Sequence, residues 1–301
     1  MHDDRVLSAV ALRLASAGLF SCMNLFIKLA EGGGAGFAEI LFFRQFGAAM
    51  LIGTVVLSGP GVGRRRSRRM PAHLLRAAIG LTAMALTFSA ILRLPLAEAT
   101  TINFSMPIFA TVLGALILHE PTGWRRWGAV AAGFVGVLIV ARPGGHAVEI
   151  VGILLALGGA LCTAFVSILL RQIGRTERAL TTVFWFSGLS TLVLLPFFAR
   201  VAQPHAPVMW AVLAGIGLLG GSAQLAMTES LARGPVSVVV PMDYTSLIWA
   251  TGLGWLAFGT LPAAATWVGA PVIVGSGLFI VWREQVRRRV DTRQTAGDPI
   301  A

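Results

Sequence analysis

The chain has 301 residues, of which 56% are hydrophobic and 12% are charged, against about 25% charged residues in soluble domains. A soluble protein of this length could not bury so much apolar surface in one core, so the composition excludes the soluble class. The net charge of +11 comes largely from arginine clusters at 64–69 and 283–289, beside apolar segments, which fits anionic lipid headgroups and argues against a nucleic-acid partner.

Ten apolar stretches follow in chain order, each near the ~20 residues that cross a ~30 Å hydrocarbon core as a helix. Breaks rich in glycine and proline, such as 32–34 and 142–145, separate them. The predicted spans are 8–29, 37–58, 74–93, 97–118, 126–142, 149–170, 180–199, 208–229, 236–258 and 265–282. We therefore expect an all-α integral membrane protein in contact with lipid.

The basic residues predict an orientation for these spans. With the N-terminus in the cytoplasm, 19 of the 24 lysines and arginines lie in inner loops and tails, and five lie on or toward the outer side: Lys28, Arg44, Arg93, Arg142 and Arg200. Cytoplasmic loops carry the excess of basic residues in membrane proteins. The sequence thus predicts a multi-pass protein of the inner membrane with both termini cytoplasmic, and residues 285–301 as a basic, disordered tail.

An internal repeat divides the chain into two five-helix units, residues 1–145 and 146–284. Arg93-Leu94-Pro95-Leu96 enters span four, and Arg233-Gly234-Pro235-Val236 enters span nine about 140 residues later. Because five is odd, the second unit would enter the membrane from the opposite face. Inverted repeats are a recurring plan of secondary transporters, with the substrate site between the units near the midplane. A duplicated bundle with no transport role is the alternative.

Small residues indicate helix contacts without proving movement. Gly217 and Gly221 on span eight, and Ala129 and Gly133 on span five, have the spacing of close helix–helix contact faces.

Catalytic and metal chemistry is not expected. Cys22 and Cys162 lie inside apolar spans with no histidine or cysteine at ligand spacing. No HExxH, CxxC or GxSxG motif occurs, and no glycine-rich phosphate loop precedes a basic helix. We predict no catalytic residue, no metal and no cofactor. The energy for any transport would come from a proton or ion gradient, from the solute gradient or from exchange. The oligomeric state is open.

Several loop and span motifs resemble one transporter family over residues 8–284. They are Leu94-Pro95-Leu96-Ala97-Glu98-Ala99-Thr100, Pro107, His119-Glu120-Pro121, Arg126-Trp127-Gly128, Ala232-Arg233-Gly234-Pro235-Val236-Ser237, Pro241-Met242-Asp243-Tyr244-Thr245-Ser246-Leu247 and Phe258-Gly259. Their order and spacing resemble the ten-span EamA branch of the drug/metabolite transporter superfamily.

The resemblance implies a secondary transporter of small organic solutes such as amino acids, metabolites, vitamins or drugs. The segment around Asp243 is similar to carriers of S-adenosylmethionine and of riboflavin. The family usually carries a glutamate at the end of spans four and nine; here it is Glu120, while Thr260 stands at the second position.

Ionisable residues in the first two spans are functional candidates because charge in hydrocarbon is expensive. Lys28 could contact the solute, pair structurally or snorkel to the headgroups. Arg44 lies about 10 Å into span two. It could hold a carboxylate or phosphate of the solute, or pair with Glu39 or Glu98.

Spans four and nine carry polar groups beside prolines. Glu98, Thr101 and Ser105 share one helix face in span four, and Pro107 frees the carbonyl of Asn103. Pro241 has the corresponding place in span nine. Broken helices with freed carbonyls build midplane sites in such carriers; alternatively the prolines only kink the helices.

Asp243 is the strongest single candidate, since it lies about eight residues into span nine. It could couple protonation to transport or pair with Arg44. Tyr244, Trp185 and Trp249 could stack on a flat or cationic solute, or serve packing alone. Further substrate-binding candidates are Asn24 and Gln224, with Glu229 at the end of span eight.

We therefore expect a transporter working by alternating access, with a small-molecule solute as its partner. A membrane-embedded enzyme using Asp243 and Glu98, or a non-transporting scaffold or sensor, are the alternatives.

Overall fold

The computed structural model of the protein describes residues 2–58, 69–117, 123–141, 149–173, 176–177, 179–233 and 240–297. Its helices are α1 (His2–Gly32), α2 (Phe37–Ser58), α3 (Met70–Arg93), α4 (Leu96–Asn103), α5 (Met106–Ile117), α6 (Trp124–Ala141), α7 (Ile150–Ile173), α8 (Ala179–Val201), α9 (Pro207–Arg233), a 3-10 helix (Val240–Thr245), α10 (Ser246–Phe258) and α11 (Ala264–Gly297). No strand occurs in these ranges.

These helices confirm the prediction of an all-α membrane protein. Eight spans of the described chain are long and apolar enough to cross a bilayer, and α4 and α5 together form one of them. The apolar part of α6, Trp127–Val140, is shorter, and α10 completes the predicted set of ten.

Span four is interrupted, and the described part of span nine begins with a 3-10 helix. α4 ends at Asn103 and α5 begins at Met106, with the Ser105 N–H donating to the Ile102 carbonyl at 3.0 Å. Pro107 has no N–H to return to the Asn103 carbonyl, which accounts for the interruption. In span nine the segment containing Pro241 forms the 3-10 helix before α10 begins. Glu120, at the end of span four, lies outside the described residues.

The last helix differs from the prediction of a disordered tail at 285–301, because α11 continues to Gly297. Arg, Gln and Glu are strong helix formers. Extending an existing helix is also much easier than nucleating a new one, so the polar segment continues the helix of span ten.

Contacts between the two halves pair the helices in a two-fold pattern. α1 packs on α9 and α3 packs on α7, that is, span one on span eight and span three on span six. If each span of the first half is exchanged with its counterpart in the second, span one becomes span six and span eight becomes span three. The first of these pairs then becomes the second. The same exchange leaves α2 against α8 and α6 against α11, as spans two with seven and five with ten.

Glycines allow the closest of these crossings. A Cβ added at Gly47 on α2 would lie 2.5 Å from the Cα of Gly217 on α9. One added at Gly221 would lie 3.1 Å from the Cα of Ala48, and one at Gly133 would lie 3.3 Å from the Cβ of Ser276. The predicted contact faces of spans five and eight are thus in contact with neighbouring helices.

Two glutamate–histidine contacts fasten opposite ends of the bundle. Glu39, in the first turn of α2, accepts the Gly36 N–H at 2.7 Å, and His205 Nε2 lies 3.2 Å from each of its oxygens. His73 Nε2 on α3 lies 2.6 Å from Oε2 of Glu177, which precedes α8. The first contact joins spans two and eight; the second joins spans seven and three, their equivalents in the repeat.

Candidate functional site

A cavity of about 370 Å³ lies between the halves. It is bounded by α1, α2, α3, α4, α7, α8, α9, the 3-10 helix and the first residue of α10, and its volume falls in the ~300–1,000 Å³ range of small-molecule sites. Its polar lining consists of Ser21, Asn24, Arg44, Arg76, Thr87, Thr100, Asn103, Thr163, Asp243 and Ser246. Apolar and aromatic side chains, including Phe88, Phe104 and Phe186, make up most of the rest.

Four of the residues predicted from the sequence meet in this cavity: Asn24, Arg44, Asn103 and Asp243. They come from three different spans of the first half and from one span of the second. The interruption of span four places Asn103 at the end of α4, against the cavity.

Asp243 pairs with Arg13, a partner that the sequence analysis missed. Arg13 Nε donates to Asp243 Oδ1 at 2.5 Å, and Arg13 Nη2 donates to Oδ2. Arg13 is buried, whereas 41% of the Asp243 side chain is exposed, on the cavity side of the pair. The expected pairing with Arg44 is not formed.

The position of Arg13 on α1 carried a usable signal. Ala17 and Asn24, which line the cavity, lie four and eleven residues after Arg13, close to one and three helical turns, and therefore share its helix face. Counting Arg13 among the inner loop residues hid that pattern.

Arg44 is buried on α2 with 5% of its surface exposed. Its Nη1 donates to Gln45 Oε1 at 2.6 Å, and its Nε has no hydrogen-bond partner in the described chain. Neither Glu39 nor Glu98 pairs with it, because Glu39 faces Gly36 and His205.

Arg76 is a second cavity arginine that the sequence analysis placed in an inner loop. It lies on α3 with 8% of its surface exposed, and its guanidinium stacks 4.1 Å from the centre of the Phe186 ring. Its Nε and Nη1 have no hydrogen-bond partner among the residues described. It lies six residues past the start of α3, about 9 Å along the helix, whereas the predicted span began at residue 74 and placed it two residues from the end.

The other predicted residues of span four and Lys28 lie outside this cavity. Glu98 is buried, and its Oε1 accepts the Ala263 N–H at 3.0 Å just before α11. It therefore joins α4 to the start of span ten. Thr101 donates to the Ala97 carbonyl at 2.7 Å within its own helix. Lys28 Nζ lies 5.8 Å from the centre of the Phe258 ring.

The predicted aromatic residues also lie elsewhere. Tyr244 borders a second, mostly apolar cavity of about 270 Å³ between α10 and α11, with its ring 4.9 Å from that of Phe104. Trp249 packs against Gly18, and Trp185 packs edge-on against Phe184. Gln224 is on α9, where its backbone carbonyl accepts the Thr228 hydroxyl.

Comparison with known proteins gives matches over most of the chain. Residues 7–142 and 150–282 each match the EamA-like transporter family. The chain is similar to a riboflavin transporter of Rhizobium johnstonii, with 31% identity over 82% of each chain. It is also similar to the pseudopaline exporter CntI of Pseudomonas aeruginosa, with 27% identity over 90% of this chain and 95% of that protein.

A further relative is an S-adenosylmethionine uptake transporter of Rickettsia conorii, with 25% identity over 82% of this chain and 83% of that protein. A solved crystal structure of a protein superposes with a TM-score of 0.61 at 20% identity, over 93% of this chain and 98% of the other. At that identity the likeness concerns the fold.

Proposed function

The chain belongs to the EamA-like transporter family, and from this premise we propose that it carries its solute in the 370 Å³ cavity by alternating access. The protein is a multi-pass membrane transporter of small organic solutes, because its family and its relatives are transporters. It is not an enzyme. The observation that carries the proposal is the position of the cavity. It lies between the two halves and is lined by two buried arginines of the first half, Arg44 and Arg76, and by the partly exposed Asp243 of the second.

The two halves act as inverted repeats in this proposal. The exchange pattern of the helix contacts and the paired glutamate–histidine contacts support a two-fold relation between residues 1–145 and 146–284. Five spans in each half give the second half the opposite direction. Rocking one half against the other then opens one site to each side in turn.

The Arg13–Asp243 pair is the moving contact of the cycle. It joins α1 of the first half to the 3-10 helix of the second, toward the end of the bundle where α1 begins. Asp243 also faces the cavity, so a solute or a coupling proton that engages its carboxylate competes with Arg13. Loss of the pair would release the halves at that end.

The solute is a metabolite, an amino-acid derivative, a vitamin or a drug. Solutes resembling riboflavin or S-adenosylmethionine are the first candidates, because relatives with 31% and 25% identity are named for them. Asn24, Arg44, Asn103 and Asp243 would contact it, since these predicted residues line the cavity.

The membrane is the inner membrane, with both termini in the cytoplasm. Of the 24 basic residues, 19 fall toward the inner side in that orientation; without the buried Arg13 and Arg76, 17 lie in inner loops and tails, an excess that the positive-inside rule favours. Lipid surrounds the exposed apolar side chains, such as Leu192 on α8 and Leu154 on α7, which are 67% and 63% exposed.

Uptake of radiolabelled riboflavin and S-adenosylmethionine into proteoliposomes tests the function. We expect flux of at least one solute above that of protein-free vesicles, and its loss in Asp243→Asn. The metabolites tried include those found by a thermal-shift screen. If the flux into proteoliposomes equals that into protein-free vesicles for every one of them, transport is contradicted.

A further inference from the structure

We propose that Arg44 and Arg76 form a paired guanidinium site that selects solutes carrying an oxyanion group, a carboxylate or a phosphate. The proposal rests on the proposed function, because it assigns a chemical class to the solute of the same cavity. Arg76 has no role in that function as stated above.

Both arginines are buried with unused hydrogen-bond donors. They are 5% and 8% exposed, and Arg44 Nε, Arg76 Nε and Arg76 Nη1 have no partner in the part of the chain that the structure describes. Arginine stays charged in proteins. An unpaired buried charge is strongly unfavourable, and more so in a membrane. A compensating anion therefore belongs beside them.

The acids near the cavity do not supply that anion. Glu39 is held by Gly36 and His205, Glu98 accepts from Ala263, and Asp243 is bound by Arg13. Glu98 Oε2 has no partner among the described residues, but Glu98 does not line the cavity. The cavity therefore keeps an excess of positive charge at its two arginines.

The two arginines approach the cavity from opposite faces of the membrane. Arg44 is seven residues past the start of α2 and Arg76 is six past the start of α3, about 10 Å and 9 Å along their helices. Since α2 crosses the bilayer before α3 begins, those starts lie at opposite ends of the bundle. Both side chains line the same 370 Å³ cavity.

The walls of the cavity fix the guanidinium groups in place. The Arg76 guanidinium carbon lies over the Phe186 ring, and its Nε and Nη1, without a partner among the described residues, remain free to donate to a ligand. A Cβ added at Gly80 would contact Arg76 Nη1, and one added at Gly220 would lie 3.3 Å from Arg44 Nε. Glycine at these two positions makes room for the arginines.

Matched pairs of probes test the site on purified full-length protein in detergent. Each pair differs only in the anionic group: succinate and succinamide, glycerol 3-phosphate and glycerol, flavin mononucleotide and riboflavin. Apparent Kd values are measured by thermal-shift titration. We expect the anionic member of at least one pair to bind about 10-fold to 100-fold tighter, because hydrogen bonds to charged groups contribute ~1.5–3 kcal/mol.

Arg44→Gln and Arg76→Gln should each reduce that preference to about threefold or less. Arg200→Gln is the matched control, because Arg200 is exposed on α8 and does not line the cavity; it should keep the preference. Size-exclusion chromatography checks folding. If a glutamine variant is misfolded, Arg44→Lys and Arg76→Lys replace it. Lysine keeps the charge but lacks the planar fork, so the preference should still fall.

Equal binding of both members in all three pairs would overturn the site, as would a preference that survives both arginine substitutions. The two proposals can fail separately. Solute flux that needs Asp243, without any anionic preference, removes only the oxyanion site. An anionic preference that needs both arginines, without flux of any solute, removes only transport.

Discussion

The contacts that hold the bundle together occur twice, whereas the charges of the cavity occur once. Glu39 with His205 and Glu177 with His73 occupy equivalent places in the two halves. Arg44 and Arg76 both come from the first half, and Asp243 comes from the second. About 140 residues after Arg44, the second half has Thr182, Val183 and Phe184.

This difference indicates that packing contacts and solute-binding groups are selected differently in a duplicated fold. Each half needs the same contacts to pack, so the framework can stay duplicated. A solute has different groups at its two ends, so a binding site shared by both halves cannot stay symmetric. Substitutions in the framework should therefore change stability, and substitutions in the cavity should change transport.

The largest effect is expected for Asp243→Asn. Removing the carboxylate of this partly buried ion pair leaves Arg13 buried and unpaired, at a cost below the ~3–5 kcal/mol of a fully buried pair. Asparagine cannot take up a proton or hold Arg13 as a carboxylate does in the proposed cycle. We therefore expect the rate of solute uptake into proteoliposomes to fall about 100-fold or more, which corresponds to a barrier higher by ~2.7 kcal/mol.

The double variant Arg13→Gln/Asp243→Asn is the control for folding. Both partners are then neutral, so the melting temperature should recover relative to Asp243→Asn, while the flux stays low. Wild-type flux in the single variant would show that the pair has no part in the cycle.

A framework glycine should give the next largest effect. Gly47→Ala places a methyl group 2.5 Å from the Cα of Gly217. The α2–α9 crossing must then widen, at a cost of about 1–3 kcal/mol, read as a lower melting temperature. Gly53→Ala on the same helix is the matched control, because nothing lies within 4 Å of its added Cβ. Equal melting temperatures for the two variants would contradict the close crossing.

The duplicated glutamates provide a smaller effect and a direct comparison. Glu39→Gln and Glu177→Gln each remove a charged acceptor, and we expect each to lower the free energy of unfolding by about 1–2 kcal/mol. The contacts lie at opposite ends of the bundle, so the two losses should add within ~0.5 kcal/mol. Chemical denaturation of both single variants and the double variant measures this. A strongly non-additive result would argue against two independent contacts.

The smallest effect is expected for Gly80→Ala. The added methyl group meets Arg76 Nη1 and lies 2.9 Å from Phe186 Cε2, so the guanidinium must turn away while the helix stays intact. The anionic preference should fall by about threefold to tenfold, because a displaced charge loses part of its ~1.5–3 kcal/mol contribution. Gly188→Ala, with no atom within 4 Å of its Cβ, should leave the preference unchanged.

Local signals in the sequence predicted most of the fold. Apolar runs of the right length define the spans, and the predicted span 37–58 coincides with α2. The chemistry of proline likewise indicated an interruption near Pro107. The segment after Glu284 was different, because its polar composition resembles a disordered tail while its residues also favour a helix.

The site was only partly predictable because it depends on distant contacts. Asn24, Arg44, Asn103 and Asp243 could be identified by their depth in a span. The pairing of Arg13 with Asp243 joins residues 230 positions apart, and no local pattern predicts it. Polar residues such as Glu98 accept hydrogen bonds from backbone N–H groups beside helix ends instead of facing the cavity. Spacing along one helix does not distinguish these two roles.

Labelling of a single cavity cysteine from both sides of the membrane tests alternating access most directly. In a background of Cys22→Ser and Cys162→Ser, Thr163→Cys lines the cavity, and Leu192→Cys, 67% exposed on the outer surface of α8, is the lipid-facing control. With a membrane-impermeant maleimide applied to right-side-out and to inside-out vesicles, we predict labelling of the Thr163→Cys variant from both sides and of the control from neither. Labelling of the cavity position from one side only, or from neither, would contradict the account.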